Sequence, residues 1–480
     1  LRLYQGLAID LIREEFKKGN RKVVLVMPTG SGKTKVFTHM MKEALKRDFK
    51  SVMYVRGRQL VEQAHERLMS ENTHHGVYMA GHWARNFHAK IQLASIDTAN
   101  SRDRYPEAYL VIVDEAHMAT SQGYKDMVAS YPPETYFVSV TATPWMRESL
   151  RHIADVYVKP TSFSELMAEG YLIKPRYFGA RPPDFRGLKK SKGEFVAEQL
   201  RERMSILSAD IIQTWIEKSE RRATLLFAVN VEHSKAIAAE FNKAGIKAEH
   251  IDATISLNER EAIIARLKTR ETEVITSVRT MTTGVDIPFL GCISDAAPTL
   301  SYNLHIQKLG RGTRPTYAPG FDLNTTEGRL AAIQASDKKD FIILDHAGNL
   351  TRHGFMEDEP EICLDGVEKI DTGRAPKQCK TCYLLYTEPD CPVCGPIDIP
   401  KKEKRQIDIE KEVQLIELNI HDSNTAAELV KFVAQKKEFA KKMGYKNGWV
   451  YYQIKEKYGE ETADSIYPNH KTRFRFSALK

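Results

Sequence analysis

The sequence predicts an α/β protein: two tandem domains built on parallel sheets, then a small four-cysteine zinc module and a basic helical tail. Three observations carry that expectation. Short continuous apolar runs alternate with helical patterns in two successive series, as in sheets covered on both faces. A glycine-rich turn, Met27-Pro28-Thr29-Gly30-Ser31-Gly32-Lys33-Thr34, follows the first run. Two Cys-x-x-Cys pairs fall close together beyond the second series. The expected domain spans are 1–158, 159–357, 358–400 and 401–480.

Composition sets the frame. A chain of 480 residues with 42% hydrophobic and 28% charged residues is ordinary globular material and excludes a disordered chain. The formal net charge of +8 is a modest hint of a polyanionic partner. No apolar run reaches the length needed to cross a bilayer, so no membrane partner is expected, and the N-terminus lacks a secretory pattern. Four of the six cysteines sit in one cluster, which suits a reducing interior and a metal site better than a disulfide scaffold. The expected location is intracellular: cytoplasm or nucleoid, or the host cytoplasm for a phage-encoded chain.

Taken in order, Leu3-Tyr4-Gln5 opens a helix with apolar residues at Leu7, Leu11, Ile12 and Phe16, and Gly19-Asn20 stops it. Strands are expected at Val23–Val26, Ser51–Val55, Ile91–Ala94, Leu110–Val113 and Tyr136–Val140. A second series places strands at Thr224–Ala228, Glu273–Thr276, Gly291–Ser294 and Phe341–Leu344, with a helix from Glu232 to Ala244. Pro, Gly, Arg and Lys accumulate between Ala180 and Gly193, which reads as an exposed excursion. His74, His75, His82 and His88 read as a mobile polar loop, and Cys292 and Cys363 as small buried hydrophobes. In the tail, Leu429, Phe432, Val433, Phe439 and Met443 form one apolar stripe, and a second short helix spans Gly448 to Tyr458.

The glycine-rich turn stands between a strand and a helix, the context of a phosphate-binding loop. Its glycines let successive backbone N–H groups point inward at the phosphates. Lys33 is expected to reach the β- and γ-phosphates of ATP, and the Thr34 hydroxyl to ligate Mg²⁺; Thr29, Gly30, Ser31 and Gly32 complete the cradle. Met27 stands where the general pattern has Gly. Val113-Asp114-Glu115-Ala116-His117 ends a strand in two carboxylates. Asp114 is expected to hold Mg²⁺, while Glu115 orients and deprotonates the attacking water. Cys379, Cys382, Cys391 and Cys394 have the paired spacing of a structural Zn²⁺ site, which leaves no open coordination position. The lysines and aromatics of the tail either bind DNA by charge and stacking or form a solvated helical face.

With these motifs in place, residues 1 to about 350 resemble the DEAD/DEAH superfamily 2 helicases and translocases, whose two RecA-like domains bind ATP in the cleft between them. The resemblance implies that Gln5 reads adenine and that Thr141 and Thr143, with His117, couple ATP state to domain movement. Gly284 and Asp286 fall in a loop implied to touch both nucleotide and nucleic acid. Gln307, Arg311 and Arg314 match the arginine-finger helix, Arg314 being the first choice for the finger and Gln307 for the water. Arg56, Arg58, Ser95, Asn230 and His233 match positions that face the strand-binding groove. The segments 282–288, 310–314 and 344–349, with cysteine pairs after them, are most similar to the RadD-like bacterial and phage proteins. That implies DNA, single-stranded or branched, as the partner, and a role in repair, recombination or replication. RNA is the less favoured substrate. A nucleotide-switched clamp that binds without unwinding is the remaining alternative.

Overall fold

The computed structural model describes residues 1–116, 121–145, 148–179, 190–191, 194–195, 208–278, 281, 287–366, 377–379, 385–386, 390, 392–394, 432–433, 435–436, 447–458 and 463. Leu1–Ile397 form one compact unit and Asp398–Lys480 another.

The first sheet is built from α1 (Leu3–Lys17), β1 (Lys22–Val26), α2 (Lys33–Lys46), β2 (Ser51–Val55) and α3 (Arg58–Ser70). After these come β3 (Gly76–Tyr78), β4 (Ile91–Ser95), α4 (Ile96–Ser101) and β5 (Leu110–Val113). It closes with α5 (Gln122–Ala129), β6 (Tyr136–Thr141) and β7 (Val156–Val158). The seven strands lie in the order β3-β4-β2-β5-β6-β1-β7, every pair parallel. Parallel neighbours need crossovers, so the chain returns between them through helices on the sheet faces. That cover is why β2, β4 and β5 are buried along their whole length.

The second sheet begins after α6 (Phe163–Ala168) with β8 (Pro175–Gly179). A small antiparallel ladder joins β9 (Lys190–Ser191) to β10 (Glu194–Phe195). Then come α7 (Ser208–Lys218), β11 (Thr224–Phe227), α8 (Val231–Lys243), β12 (Ala248–Ile251), α9 (Leu257–Thr269) and β13 (Val274–Ser277). β14 (Cys292–Asp295), α10 (Tyr302–Leu309), α11 (Thr326–Gln334), β15 (Phe341–Asp345) and α12 (Asn349–His353) complete it. Its order is β12-β13-β11-β14-β15-β8, again all parallel. Past it, β16 (Lys377–Gln378) pairs antiparallel with β17 (Leu385–Tyr386), and Leu385 packs on Gly179 at the end of β8. In the second unit, α13 (Asn447–Tyr458) packs Val450, Tyr451 and Ile454 against Phe432, Val433 and Ala463. Tyr451 therefore serves this small core, whereas Tyr452 stands exposed. Among the described residues no helix is long and apolar enough to cross a membrane.

Several sequence expectations need correction. The strands β3, β7, β8 and β12 were not anticipated, and all four are sheet edges. The buried face of α1 is Tyr4, Gln5, Ala8, Ile9 and Ile12; Leu7 points to solvent. The histidines do not form a loose loop: His75 and His82 are buried beside β3 and hydrogen-bonded to His65 and Glu62 respectively. Cys292 is buried and its thiol is pushed up to about 12 by desolvation, but Cys363 is only half-buried. Most of the segment from 180 to 193 lies outside the described residues.

The two sheets are tied together downstream of α12. The chain from Gly354 to Asp365 runs back along Trp145 and residues 148–163. Trp145 Nε1 donates to the Pro360 carbonyl (3.0 Å), Leu150 N to Leu364 O (2.7 Å), and Arg151 forms a bidentate pair with Asp365 (2.9 and 3.0 Å). Glu359 accepts from Phe163 N (3.1 Å) and pairs with Lys159 (2.5 Å).

Inside the second domain, the buried Lys308 ammonium pairs with Asp295 at 2.6 Å and also donates to Ala297 O at 2.8 Å. Asn349 Nδ2 donates to Asp295 Oδ2 (2.9 Å), and Asp345 accepts the N–H groups of Ala347 (3.0 Å) and Leu350 (2.7 Å). Burial pushes the Asp345 carboxyl up to about 6. Burial also pushes the imidazoles of His233, His346 and His353 down to about 4, and that of His305 well below its usual range. An unfolded chain would protonate these histidines near pH 6.5, so it binds more protons than the fold between there and about pH 4. Asp345 acts in the opposite sense over part of that window, as do Glu357 and Asp358, while burial also lowers the imidazoles of His65 and His75 and adds to the histidine side. Denaturant melts at about pH 7 and about pH 5 should show stability falling with pH, by roughly 1.4 kcal/mol per pH unit for each net proton. A flat profile would contradict the buried neutral imidazoles.

Candidate active site

The glycine-rich turn leaves β1 at the carboxyl edge of the first sheet and feeds α2. Gly30 and Gly32 sit at φ +85° and +81°, a region L side chains rarely adopt, and Gly32 is the N-cap of α2. α1 braces the turn from behind. Gln5 Oε1 accepts from Arg2 N (2.9 Å), which aims its amide nitrogen at the carbonyls of Ser31 (3.0 Å) and Gly32 (3.4 Å). The Tyr4 hydroxyl donates to the same Ser31 carbonyl at 2.7 Å. The buried Ser31 hydroxyl has no hydrogen-bond partner, and the Lys33 ammonium has only long contacts to Met27 O (3.4 Å) and Pro28 O (3.5 Å). A buried donor without a partner costs stability unless a ligand satisfies it. These groups fit a nucleotide's phosphates, and the exposed Thr34 beside them fits its magnesium.

Asp114 and Glu115 follow β5. Asp114 N donates to the Tyr54 carbonyl (3.1 Å), and Asp114 Oδ1 accepts from Glu115 N (2.9 Å). Glu115 has φ +53°, a strained setting for a residue with a side chain. Dehydration by the surrounding protein draws the Lys33 ammonium below its usual range; Glu115 and Asp114 oppose that shift, and Arg311 and Arg314 reinforce it. All four charged groups thus act on Lys33. β6 joins the arrangement through its backbone, since Met27 N donates to Thr141 O at 3.1 Å. Thr141 and Thr143 are fully buried, with Thr143 N donating to Thr141 Oγ1 at 2.9 Å.

The second domain meets this loop directly. A Cβ added at Gly30 would lie 3.2 Å from Thr313 Oγ1 and Leu172 Cδ2 and 3.7 Å from Arg314 Cγ. One added at Gly310 would lie 2.8 Å from Thr29 Cβ, inside ordinary contact. The turn after α10 is held in shape: Thr313 Oγ1 donates to Gly310 O (2.8 Å), Ile173 N to Thr313 O (2.9 Å) and Lys338 Nζ to Arg314 O (2.7 Å). Sequence reasoning missed Lys338, which sits in an Asp-Lys-Lys-Asp run that reads as plain surface charge. It also missed the Lys308–Asp295 pair that anchors α10, on which Gln307 is buried beside Lys308.

The structure does not bring every expected residue to this place. His117, Gly284 and Asp286 lie outside the described residues, as do Cys382 and Cys391. Cys379 is buried immediately after β16 and Cys394 is exposed; among the described residues no group of three or more His, Cys, Asp or Glu could hold a metal. Ser95 caps α4 by accepting from Thr98 N (3.4 Å), and Asn230 caps α8 by accepting from His233 N (2.8 Å). His233 is buried. Arg56 and Arg58 are exposed, paired with Asp97 (3.7 Å) and Glu62 (3.5 Å).

Residues 1–146 match the family of the type III restriction enzyme res subunit, and residues 206–316 match the helicase conserved C-terminal domain. The chain is similar to the candidate ATP-dependent helicase IRC3 of Saccharomyces cerevisiae, with 25% identity over 65% of this chain and 49% of that protein. It is also similar to a 51.5 kDa protein of a Lactococcus phage, with 22% identity over 81% of each. The fold resembles the ATP-dependent type ISP restriction-modification enzyme LlaBIII bound to DNA, at a TM-score of 0.52 and 16% identity, covering 72% of this chain and 31% of that one. This chain spans about half the length of the yeast relative.

The apposition of Gly310 on Thr29 makes one substitution informative. Gly310→Val should push the arginine-bearing turn off the loop and cut ATP turnover roughly a hundredfold, because small misplacements at reacting centres cost that much. Nucleotide should still bind, and a thermal melt checks folding. Wild-type turnover in the folded variant would show that the contact does not matter.

Proposed function

We propose that this chain is a superfamily 2 enzyme of the ATP-hydrolysing helicase type, a DNA translocase or helicase that remodels DNA in repair, recombination or replication. The observation that carries the reading is the divided site: phosphate-type groups on one sheet, and two arginines arriving on a turn of the other. Lys33, Thr29 to Thr34 and the orphaned Ser31 hydroxyl bind the phosphates. Asp114 with Thr34 holds Mg²⁺, and Glu115 takes the proton from the water that Gln307 orients. Arg311 and Arg314 neutralise the charge that spreads over the γ-phosphoryl oxygens in the transition state. By the motifs they belong to, Gln5 reads adenine, and Gly284 and Asp286 contact the nucleotide. Because half of the groups come from each domain, turnover requires the cleft to be closed. Thr141 and Thr143, bonded to the loop through Met27, and His117 carry that state outward.

DNA is favoured over RNA by the restriction-enzyme family model and by the DNA held in the LlaBIII structure. Arg56 and Arg58 face the strand, with the segments that carry Ser95, Asn230 and His233 beside it, and contacts of this kind bind backbone phosphates without reading sequence. Lys33→Ala and Glu115→Gln should each abolish ATP hydrolysis while the protein stays folded, and single-stranded or branched DNA should stimulate the wild type. Stimulation by RNA alone would sink the DNA assignment. Stimulation by DNA without strand separation or displacement on a forked substrate would leave a nucleotide-switched clamp.

Cys379, Cys382, Cys391 and Cys394 form a structural zinc site next to the β16–β17 hairpin in this reading. The antiparallel pairing of Lys377–Gln378 with Leu385–Tyr386 supports it, because Cys379 follows directly on the ordered β16 strand. Metal analysis of purified protein should find about one zinc per chain. Folded protein without zinc removes the module.

A further inference from the structure

We propose that Trp83 is a base-stacking platform on the nucleic-acid track of the first domain; this rests on the nucleic-acid reading above. Trp83 is 78% exposed, the second most exposed of the large apolar side chains among the described residues. A lone exposed aromatic is unremarkable, but this one is mounted. Its ring stacks on His82 (centroids 5.8 Å apart, planes 18° apart) and meets the edge of His65 at 5.3 Å.

The mount is closed and rigid. Ala84 N donates to His82 Nδ1 (3.0 Å), so the proton is on Nε2, which donates to Glu62 (3.0 Å). His75 Nδ1–H donates to the Thr73 carbonyl (2.7 Å), which leaves its Nε2 to accept from His65 Nδ1–H (2.7 Å). His65, His75 and His82 are all buried. The indole therefore rests against an ordered histidine cluster while most of its surface stays open. A stacking partner would find the ring already ordered, which lowers the entropy lost on binding.

Position supplies the partner. β3, β4 and β2 are neighbours, and the loops after them converge at the carboxyl edge of the sheet. Ala80 N donates to Thr98 Oγ1 in the segment after β4 (3.2 Å), and Arg58 Nη2, after β2, donates to Ala80 O (3.1 Å). Arg56 and Arg58 are exposed around this junction. Guanidiniums for the phosphates beside an open aromatic face for a base is the arrangement that holds an unpaired strand without sequence preference. The occupant inferred is an unstacked nucleobase of a DNA single strand.

The test compares wild type, Trp83→Ala and Trp83→Phe by DNA-stimulated ATPase. The probes are a short oligo(dT) and an abasic strand of the same length. Trp83→Ala should raise the oligo(dT) concentration for half-maximal stimulation about tenfold, and Trp83→Phe should restore most of the loss. On the abasic strand all three proteins should coincide, because only the backbone remains to be bound. Equal behaviour of wild type and Trp83→Ala on oligo(dT) would overturn the proposal, as would an equal loss on both strands, which marks a merely structural side chain. If neither strand stimulates the wild type, it is the nucleic-acid reading that fails.

Discussion

Thr29 and Gly30 lie directly against the Gly310–Arg314 turn, the Thr29 side chain next to Gly310 and the Thr313 and Arg314 side chains next to Gly30, and the rest of the first unit is arranged to make that contact possible. Positive phosphate-binding groups on one side and guanidiniums on the other would repel if nothing lay between. The Glu115 and Asp114 carboxylates beside Lys33 offset part of that repulsion, and a bound polyphosphate would offset the rest. The protein alone is therefore a site with surplus positive charge in a dehydrated setting, built for an anion that bridges the two sheets.

Such a bridge works only if the arginine-bearing turn is stiff. Its rigidity comes from the interior of the second domain. Lys308 and Asp295 are both nearly inaccessible, and a buried pair of this kind is held only when its remaining bonding capacity is met. Asn349 and the Ala297 carbonyl meet it. The same helix that buries Lys308 leads into Gly310, Arg311 and Arg314. The polar hub and the candidate catalytic arginines are thus two ends of one element. The return segment to Asp365 adds a second tie between the sheets, through Trp145, just past Thr143.

How much of this is legible in the sequence depends on burial. The central strands announce themselves as continuous apolar runs because helices cover both their faces. The edge strands do not: β7, β8 and β12 mix buried with only partly covered positions, and β3 is only three residues long. The loop and carboxylate motifs are readable because phosphate and metal chemistry restricts residue type at fixed spacing. The histidine cluster is not readable, because His65 lies on a different element from His75 and His82, and only the packing of α3 against β4 and its neighbour brings them together. Ser95 and Asn230 match the sequence pattern of an expected groove, and in the structure their side chains cap helices, a local role that the same residue types serve and that no pattern separates. Leu7 misled for the ordinary reason that apolar residues also occur on surfaces.

The central claim is that the site is divided and that the second domain supplies charge only needed at the transition state. Comparing ATP binding with ATP turnover in Arg314→Ala tests it most directly. The account predicts that nucleotide still binds while turnover falls by about a thousandfold or more, the scale of losing an arginine finger. Turnover within a few-fold of wild type in a folded Arg314→Ala protein would contradict it.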